Sequence, residues 1–514
     1  MTCRAATLIL AMSLAPAATA SAALRCEELL SVSIPGSTIT SARPIAAGTF
    51  SEPGANPRET QARAQLFSRL PAFCRVTITA RPSTDSDIRI EVWLPDAGWN
   101  GRLQAVGDGG LAGSIPMTSM APELAQGYAV AGTDTGHAGS TADFMPAHPE
   151  KLVDFAYRST HEMAVAAKAI VTAFYGSPAH HAYYNACSGG GRHALTSAQR
   201  FPADFDGIVA GASSWNQARL DAARIGINLT VNRTSDSRIP AAKYPMVHEA
   251  VLQACDAKDG VRDGVIESPQ TCGFDYGSLV CRGADGPNCL TPAQVESARV
   301  MTSPFVDAAS GRTLLEPHLW PGSELQWGTL GGPEPLANSV ARVRHFHLKN
   351  PAFEFKLPNV AADVERAAQM DGGLIASNNF DLRPFFSRGG KLLMWHGWSD
   401  PQVPAENSVI YFTNVVKTVG APAADSLALF MMPGVLHCGG GPGPDTFDQM
   451  GAMTKWVESG QKPVRIDASR ERDGKVDRTR PLCPYPQIAK YAGSGDTNSA
   501  ASFSCAADPA AARR

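Results

Sequence analysis

Two hydrophobic periodicities run along the chain and replace one another at identifiable residues. Between 24 and 105 apolar and polar positions alternate in short runs. Arg75-Val76-Thr77-Ile78-Thr79 and Ile88-Arg89-Ile90-Glu91-Val92-Trp93-Leu94 read as half-buried antiparallel strands. Further on, short apolar runs at 103–106, 128–131, 181–186 and 208–210 are interspersed with stretches of helical spacing at 157–175 and 192–200. Strands alternating with helices predict βαβ units and a largely parallel sheet. The alternation stops near Trp215 and resumes at 391–396, followed by a helix near 408–419, a strand at 427–432 and a helix at 446–459. The expectation is one α/β domain in two parts, 23–215 and 385–505. It is interrupted by an insertion at 216–384 with four cysteines, many prolines and no regular strand spacing. The alanine-rich residues 506–514 are expected to form a flexible tail.

Charge and cysteine usage narrow the setting. Lys+Arg (45) nearly balance Asp+Glu (48), so nothing electrostatic favours a nucleic acid or an anionic membrane as partner. Residues 1–22 read as a secretory signal: Arg4 supplies a basic start, 5–18 are mostly apolar, and Ala20-Ser21-Ala22 offers the small residues a signal peptidase needs. No later segment is apolar for long enough to span a bilayer, so the mature protein is expected to be secreted or periplasmic. Removing the signal takes Cys3 and leaves ten of the 11 cysteines, an even number that in an exported protein favours disulfides. Parity alone does not give their connectivity. Local closeness suggests Cys255–Cys272, Cys281–Cys289 and Cys483–Cys505, which leaves Cys26–Cys74 and Cys187–Cys438.

The chemistry concentrates at Tyr184-Asn185-Ala186-Cys187-Ser188-Gly189-Gly190-Gly191-Arg192, where a predicted strand meets a predicted helix. A serine on such a strand-to-helix elbow needs small residues two before and two after it, here Ala186 and Gly190. It then exposes its hydroxyl above the sheet, with the N–H of the next residue, Gly189, aimed where an oxyanion forms. A phosphate loop would end in Gly-Lys-Ser/Thr, which is missing. In this architecture the acid and then the histidine follow the serine. Asp400 lies just beyond the strand at 391–396, and His437 lies in the loop after 427–432. Cys187 precedes the serine and Cys438 follows the histidine. If Ser188 and His437 meet, the two sulfurs are close enough to consider bridging.

This Cys-Ser, Asp, His-Cys pattern resembles the tannase and feruloyl esterase family, which also includes a terephthalate monoester hydrolase. Matching stretches are Val106-Gly107-Asp108-Gly109-Gly110, Gly132-Thr133-Asp134-Thr135-Gly136-His137, Gly397-Trp398-Ser399-Asp400-Pro401 and Arg480-Pro481-Leu482-Cys483-Pro484-Tyr485-Pro486. The resemblance implies an α/β-hydrolase fold with a large inserted lid domain, disulfide-rich, with the five pairs above. It implies an aromatic ester, from plant wall or polyphenol, as substrate. Feruloyl esters come first, galloyl esters second and terephthalate monoesters third, because Val403 stands where the terephthalate enzyme has an aromatic residue. It also places the second oxyanion donor at the Gly110 N–H, with Gly109 as the alternative. A serine peptidase would use the same triad, and a calcium-braced binder of polyphenols or glycans would need none of it.

Within the insertion, Asp256, Asp259 and Asp263 lie in a glycine-punctuated loop directly after Cys255, and no EF-hand glutamate stands at its twelfth position. The resemblance implies a structural Ca2+ here, held by these three carboxylates and the carbonyls of Val261 and Val265. His345 and His347 lack a third ligand and read as structural, as do His180 and His181. Asp134 and His137 precede the serine and break the chain order. Trp320, Trp327, Phe346, Phe353 and Phe355 read mainly as the insertion's own core.

Overall fold

The structure, a computed structural model, describes residues 23–508 except 55–56, 112, 143–144, 308–309 and 357–359. The signal read at 1–22 therefore lies outside the described residues. In chain order the strands up to the second half of the domain are β1 (Ser37–Ile45), β2 (Phe73–Ala80), β3 (Ile88–Pro95), β4 (Arg102–Val106), β5 (Ala129–Thr133), β6 (His181–Cys187) and β7 (Gly207–Gly211). Then come β8 (Phe305–Val306), β9 (Thr313–Leu315), β10 (Lys391–Gly397) and β11 (Leu427–Met432). Nine of these form one mixed sheet in the order β1-β2-β3-β5-β4-β6-β7-β10-β11. The first three strands and the β3–β5 pair are antiparallel, and every pair from β5 to β11 is parallel.

Period-two alternation sorts the side chains of this sheet onto two faces. In β10, Leu392 and Met394 point into one core with the helices Ser159–Tyr175, Gly189–Arg200 and Glu406–Val419. Leu393 and Trp395 point into the other, with the helices Met117–Ala125 and Gln449–Ser459. Continuous apolar strands such as Leu427–Met432 are buried on both faces, as a covered parallel sheet requires. Because all the parallel strands run the same way, the loops at their C-terminal ends gather along one edge. Gly107–Gly110, Ser188, Asp400 and His437 all come from that edge.

The polypeptide leaves the sheet after β7 and returns at β10, which pairs directly with β7. Between them lie the helices Gln217–Val231, Tyr244–Cys255, Pro292–Thr302 and Val360–Asp371, with β8 and β9 as a small hairpin. This segment builds cores of its own. Trp327 is fully buried among Ile227, Val251 and Leu319, Phe353 and Phe355 meet edge-to-face and pack on the cluster that holds Val343 and Val364, and Phe346 lies against Phe155.

A buried charge cluster ties the insertion together. The Asp221 carboxylate is fully buried and accepts from Arg342 Nε and Nη2 at 2.7 and 2.8 Å, from Ser339 and from Gln217. His347 stands between Asp221 and Asp371, at 3.7 and 3.4 Å, as a structural histidine. Burial alone would raise the Asp221 carboxyl, but Arg342, His347 and Arg224 outweigh it and hold it well below the usual carboxylate range.

Two expectations need correction. Residues beyond 459 are a pair of antiparallel hairpins, β12 (Ile466–Arg472) with β13 (Lys475–Leu482) and β14 (Gln487–Tyr491) with β15 (Phe503–Ala507), where periodicity suggested no element. The tail does not begin at 506 either. Ala506 and Ala507 continue β15, and Asp508 is buried, accepting from Gln270 Nε2 while its N–H donates to the Pro486 carbonyl. Small alanines read as disorder in sequence but pair well along a hairpin edge.

Asp221→Asn leaves Arg342 and Arg224 buried without their counter-charge and is expected to cost about 3 kcal/mol at neutral pH. The Asp221 contribution is complete above the unfolded carboxyl's value of about 4. It is lost as pH falls toward the lower folded value, so the gap between wild type and variant should narrow in acid. Urea unfolding across pH measures this; a neutral-pH difference under about 0.5 kcal/mol refutes it.

Candidate active site

Ser188 sits at the tip of the turn between β6 and the helix Gly189–Arg200, with φ 62° and ψ −123°. A side chain in that region is strained by roughly 1–3 kcal/mol and persists only where its surroundings impose it. Here they do. A Cβ on Gly190 would come within 2.7 Å of the Ala186 Cβ and 2.9 Å of the Asp108 carbonyl, so the strand and the helix approach only because that position carries no side chain. The helix begins at Gly189 itself, three residues before the periodicity indicated, with Ser188 as the residue that precedes its first turn.

His437 Nε2 lies 2.8 Å from Ser188 Oγ, and His437 Nδ1 lies 2.7 Å from Asp400 Oδ2. The carboxylate is an acceptor only, so Nδ1 carries the proton and Nε2 is left to accept from the serine hydroxyl. Asp400 is fully buried, and its Oδ1 takes the N–H groups of Gln402 and Val403 at 2.7 and 2.9 Å. Burial opposes its ionisation, but the charge of His437 and the hydrogen bonds of His396 and His437 dominate and hold it far below the usual carboxylate range. The structure thus brings Ser188, His437 and Asp400 into one hydrogen-bonded chain from residues 249 and 37 positions apart.

Gly109 and Gly110 run past the elbow. A Cβ on Gly109 would sit 3.7 Å from Ser188 Oγ, and one on Gly189 would sit 3.2 Å from the Gly110 nitrogen. Gly110 has φ 65°, which turns the chain there. Behind this segment, His137 Nε2 reaches the Leu111 carbonyl at 2.9 Å, and Asp134 accepts from the N–H groups of Arg89 and Gly136. His137 therefore braces the chain just after the glycine run, and Asp134 orders the turn that carries His137.

Cys187 and Cys438 are bridged, with Cα atoms 6.0 Å apart. The bond fastens the loop of His437 to the elbow across 251 residues. The structure also contains the bridges Cys26–Cys74, Cys255–Cys272, Cys281–Cys289 and Cys483–Cys505.

Two cavities meet at Ser188. One of about 570 Å³ is bounded by His437, Cys438, Asp108, Glu123 and Gln449. The smaller, about 90 Å³, is bounded by Gly110, Gly189, Val403 and, from the insertion, Asn338 and Arg342. Burial pushes the Glu123 carboxyl up to about 7. Three further residues were not legible as site residues: His396, which hydrogen-bonds Asp400, and Arg224 and His318 of the insertion, which both donate to the Gln402 carbonyl. A histidine four positions before Asp400 was the one signal available in sequence.

The acidic loop of the insertion is ordered by its own carboxylates. Asp256 accepts from the N–H groups of Asp263 and Gly264, Asp259 from Val261, and Asp263 from Val265 and from Arg480. Burial, with the like charges of Asp263 and Asp256 adding to it, pushes Asp259 up to about 6. Oxygen-only donors are the type a hard divalent cation takes, but among the described residues these three carboxylates do not gather about one point, and Asp263 is paired with Arg480 and Arg478.

The comparisons with known proteins bear on the whole chain. Residues 74–506 match the family model described as tannase and feruloyl esterase. An uncharacterised esterase of Xanthomonas campestris is 36% identical, the match covering 96% of this chain and 92% of that protein. Feruloyl esterase C of Talaromyces stipitatus is 32% identical over 94% of each chain. The crystal structure of feruloyl esterase B from Aspergillus oryzae superposes with a TM-score of 0.86 at 29% identity, covering 94% of this chain and 99% of the other. The sheet, its elbow and the insertion are thus those of an α/β-hydrolase fold.

Replacing Cys187 and Cys438 together by serine releases a loop closure worth roughly 5 kcal/mol in the chain-entropy account. It should lower Tm and cut kcat by about tenfold or more through misplacement of His437. Calorimetry and steady-state kinetics on the double variant check both; unchanged kcat would show that the bridge does not position the base.

Proposed function

The chain belongs to the tannase and feruloyl esterase family and is a carboxylic ester hydrolase, and we propose that it is an exported serine esterase of aromatic acyl esters. Feruloyl and related hydroxycinnamoyl esters are the first substrates, galloyl esters the second. The observation that carries the serine mechanism is the unbroken chain Ser188 Oγ, His437, Asp400. A protein that only bound polyphenols would have no need to hold a hydroxyl against the free nitrogen of an imidazole.

In this reading Ser188 Oγ attacks the ester carbonyl carbon while its proton passes to His437 Nε2. The imidazolium is stabilised by the Asp400 carboxylate. The carbonyl oxygen becomes the oxyanion, met by the N–H groups of Gly189 and Gly110. His437 then gives the proton to the alcohol oxygen, the C–O bond breaks, and the acyl-serine remains. Water attacks by the same route in reverse and releases the acid. Because His437 must reach the leaving oxygen, the alcohol occupies the cavity that His437 bounds, and the acyl group lies on the side of Gly110, Val403 and Arg342. The small Val403 side chain supports a hydroxycinnamoyl or galloyl group over a terephthaloyl one. Five disulfides support export; among the described residues no helix is long and apolar enough to cross a membrane.

The same reading assigns Ca2+ to the loop of the insertion, held by Asp256, Asp259 and Asp263 and the carbonyls of Val261 and Val265. Its contribution is structural: it would cancel the crowding of like charges and fasten the loop beside Cys255–Cys272 and Arg480 of β13.

Ser188→Ala should reduce kcat/KM on methyl ferulate by about four orders of magnitude or more with Tm unchanged. Near-wild-type turnover would remove the serine mechanism. Wild-type rates on methyl ferulate, methyl gallate and a terephthalate monoester then rank the acyl groups, with the terephthalate ester expected slowest. Removing the metal with EDTA, followed by elemental analysis to show that it has left, should lower Tm by several degrees. A metal-depleted protein with the original Tm would sink the structural calcium.

A further inference from the structure

Asp400 Oδ2 is shared by two imidazoles. His437 Nδ1 donates to it at 2.7 Å from one side, and from the other His396 Nε2 lies at 3.0 Å. His396 ends the core of β10 four residues before Asp400 and is fully buried. Its Nε2 also faces the Val403 carbonyl at 3.2 Å, and its Nδ1 faces Ser408 Oγ at 2.7 Å. Both neighbours of Nε2 are acceptors, so Nε2 carries the proton, and the Ser408 hydroxyl donates to Nδ1. The ring is locked in one tautomer by groups that come from the loop after β10 and from the helix Glu406–Val419.

We propose that His396 is a positioning residue for the reaction: its Nε2–H fixes the Asp400 carboxylate in the plane His437 needs and divides the charge on Oδ2 between the two imidazoles. The proposal rests on Asp400 being the triad acid. Physically, a carboxylate hydrogen-bonded at Oδ1 alone, by the Gln402 and Val403 N–H groups, could still rotate Oδ2 away from His437 Nδ1. The His396 donor opposes that rotation. It also draws electron density from Oδ2, so His437 sees less than a full negative charge. The other groups facing this carboxylate are cationic or neutral: Arg224 and His318 approach from the insertion and both end on the Gln402 carbonyl, one bond removed from the N–H that Asp400 accepts.

The test uses the full-length oxidised enzyme and its His396→Leu, His396→Gln, Ser408→Ala and Asp400→Asn variants, with methyl ferulate or whichever ester wild type turns over fastest. His396→Leu should lower kcat by about tenfold to a hundredfold with KM within about twofold. With Oδ2 no longer shared, the imidazolium of His437 is better stabilised, so the acid limb of kcat/KM should move to higher pH. His396→Gln places an amide donor close to where Nε2 stood and should restore most of kcat and return the acid limb toward wild type. Ser408→Ala frees the tautomer and should move the limb in the same direction as His396→Leu, by less. A folded His396→Leu enzyme with wild-type kcat and acid limb overturns the proposal, as does a loss of kcat that leaves the limb in place and that glutamine does not repair. If His396→Leu does not fold, an unmoved acid limb in Ser408→Ala overturns it. Asp400→Asn separates the two levels: an active Asp400→Asn enzyme removes the triad reading itself. An inactive one, beside unaltered His396 variants, removes only the role of His396.

Discussion

The buried carboxylate of Asp400 is the constraint around which the site is arranged. An ionised carboxyl away from water is tolerated only if each oxygen is satisfied. This one takes the backbone N–H groups of Gln402 and Val403 on Oδ1 and the imidazoles of His437 and His396 on Oδ2. The donors come from its own loop, from the base loop and from β10, so satisfying the charge also fixes three pieces of chain relative to one another. The insertion joins them at one remove, since Arg224 and His318 meet on the carbonyl of Gln402, whose N–H binds the acid.

The nucleophile depends on a second constraint, which is steric. The left-handed turn at Ser188 exists because Ala186 and Gly190 let β6 and the following helix approach closely. The Cys187–Cys438 bond then converts proximity of the two loops into a covalent fact. A hydrogen bond of 2.8 Å between Ser188 and His437 spans a sequence separation whose closure entropy would otherwise favour many looser arrangements.

The insertion is held by means that differ from those of the sheet. Its apolar cores are divided into separate clusters, and between them lies the charge cluster centred on Asp221. Such a cluster adds little net stability over an apolar core, but it penalises any arrangement that leaves one member unpaired. That is a sensible device for a segment that must present Asn338 and Arg342 at a cavity beside Ser188 in one orientation.

Much of this was readable along the chain, because the relevant signals are local. Period-two runs located β2 and β3, short apolar runs located β4 to β7, β10 and β11, the glycine spacing around Ser188 located the elbow, and Asp400 and His437 were found from their places after strands. Where neighbours in sequence carry no information, the reading stopped. The hairpins after 459 carry arginines at buried positions, Arg470 and Arg478 among them, which blurs the alternation, and Asp508 looked like tail until Gln270 met it. His396 was an unremarked residue of an apolar strand, and His318 and Arg224 lie in an insertion without periodic pattern. By itself the sequence determined which residues face the sheet's two cores and which side chains offer nucleophile, base and acid, since periodicity and turn chemistry are written in adjacent positions. Only the tertiary structure decided what those groups touch: Asp400 shared between two histidines, and the insertion bound to the acid's own loop. Hydrogen bonds between residues tens or hundreds of positions apart are set by packing, which no single stretch of chain encodes.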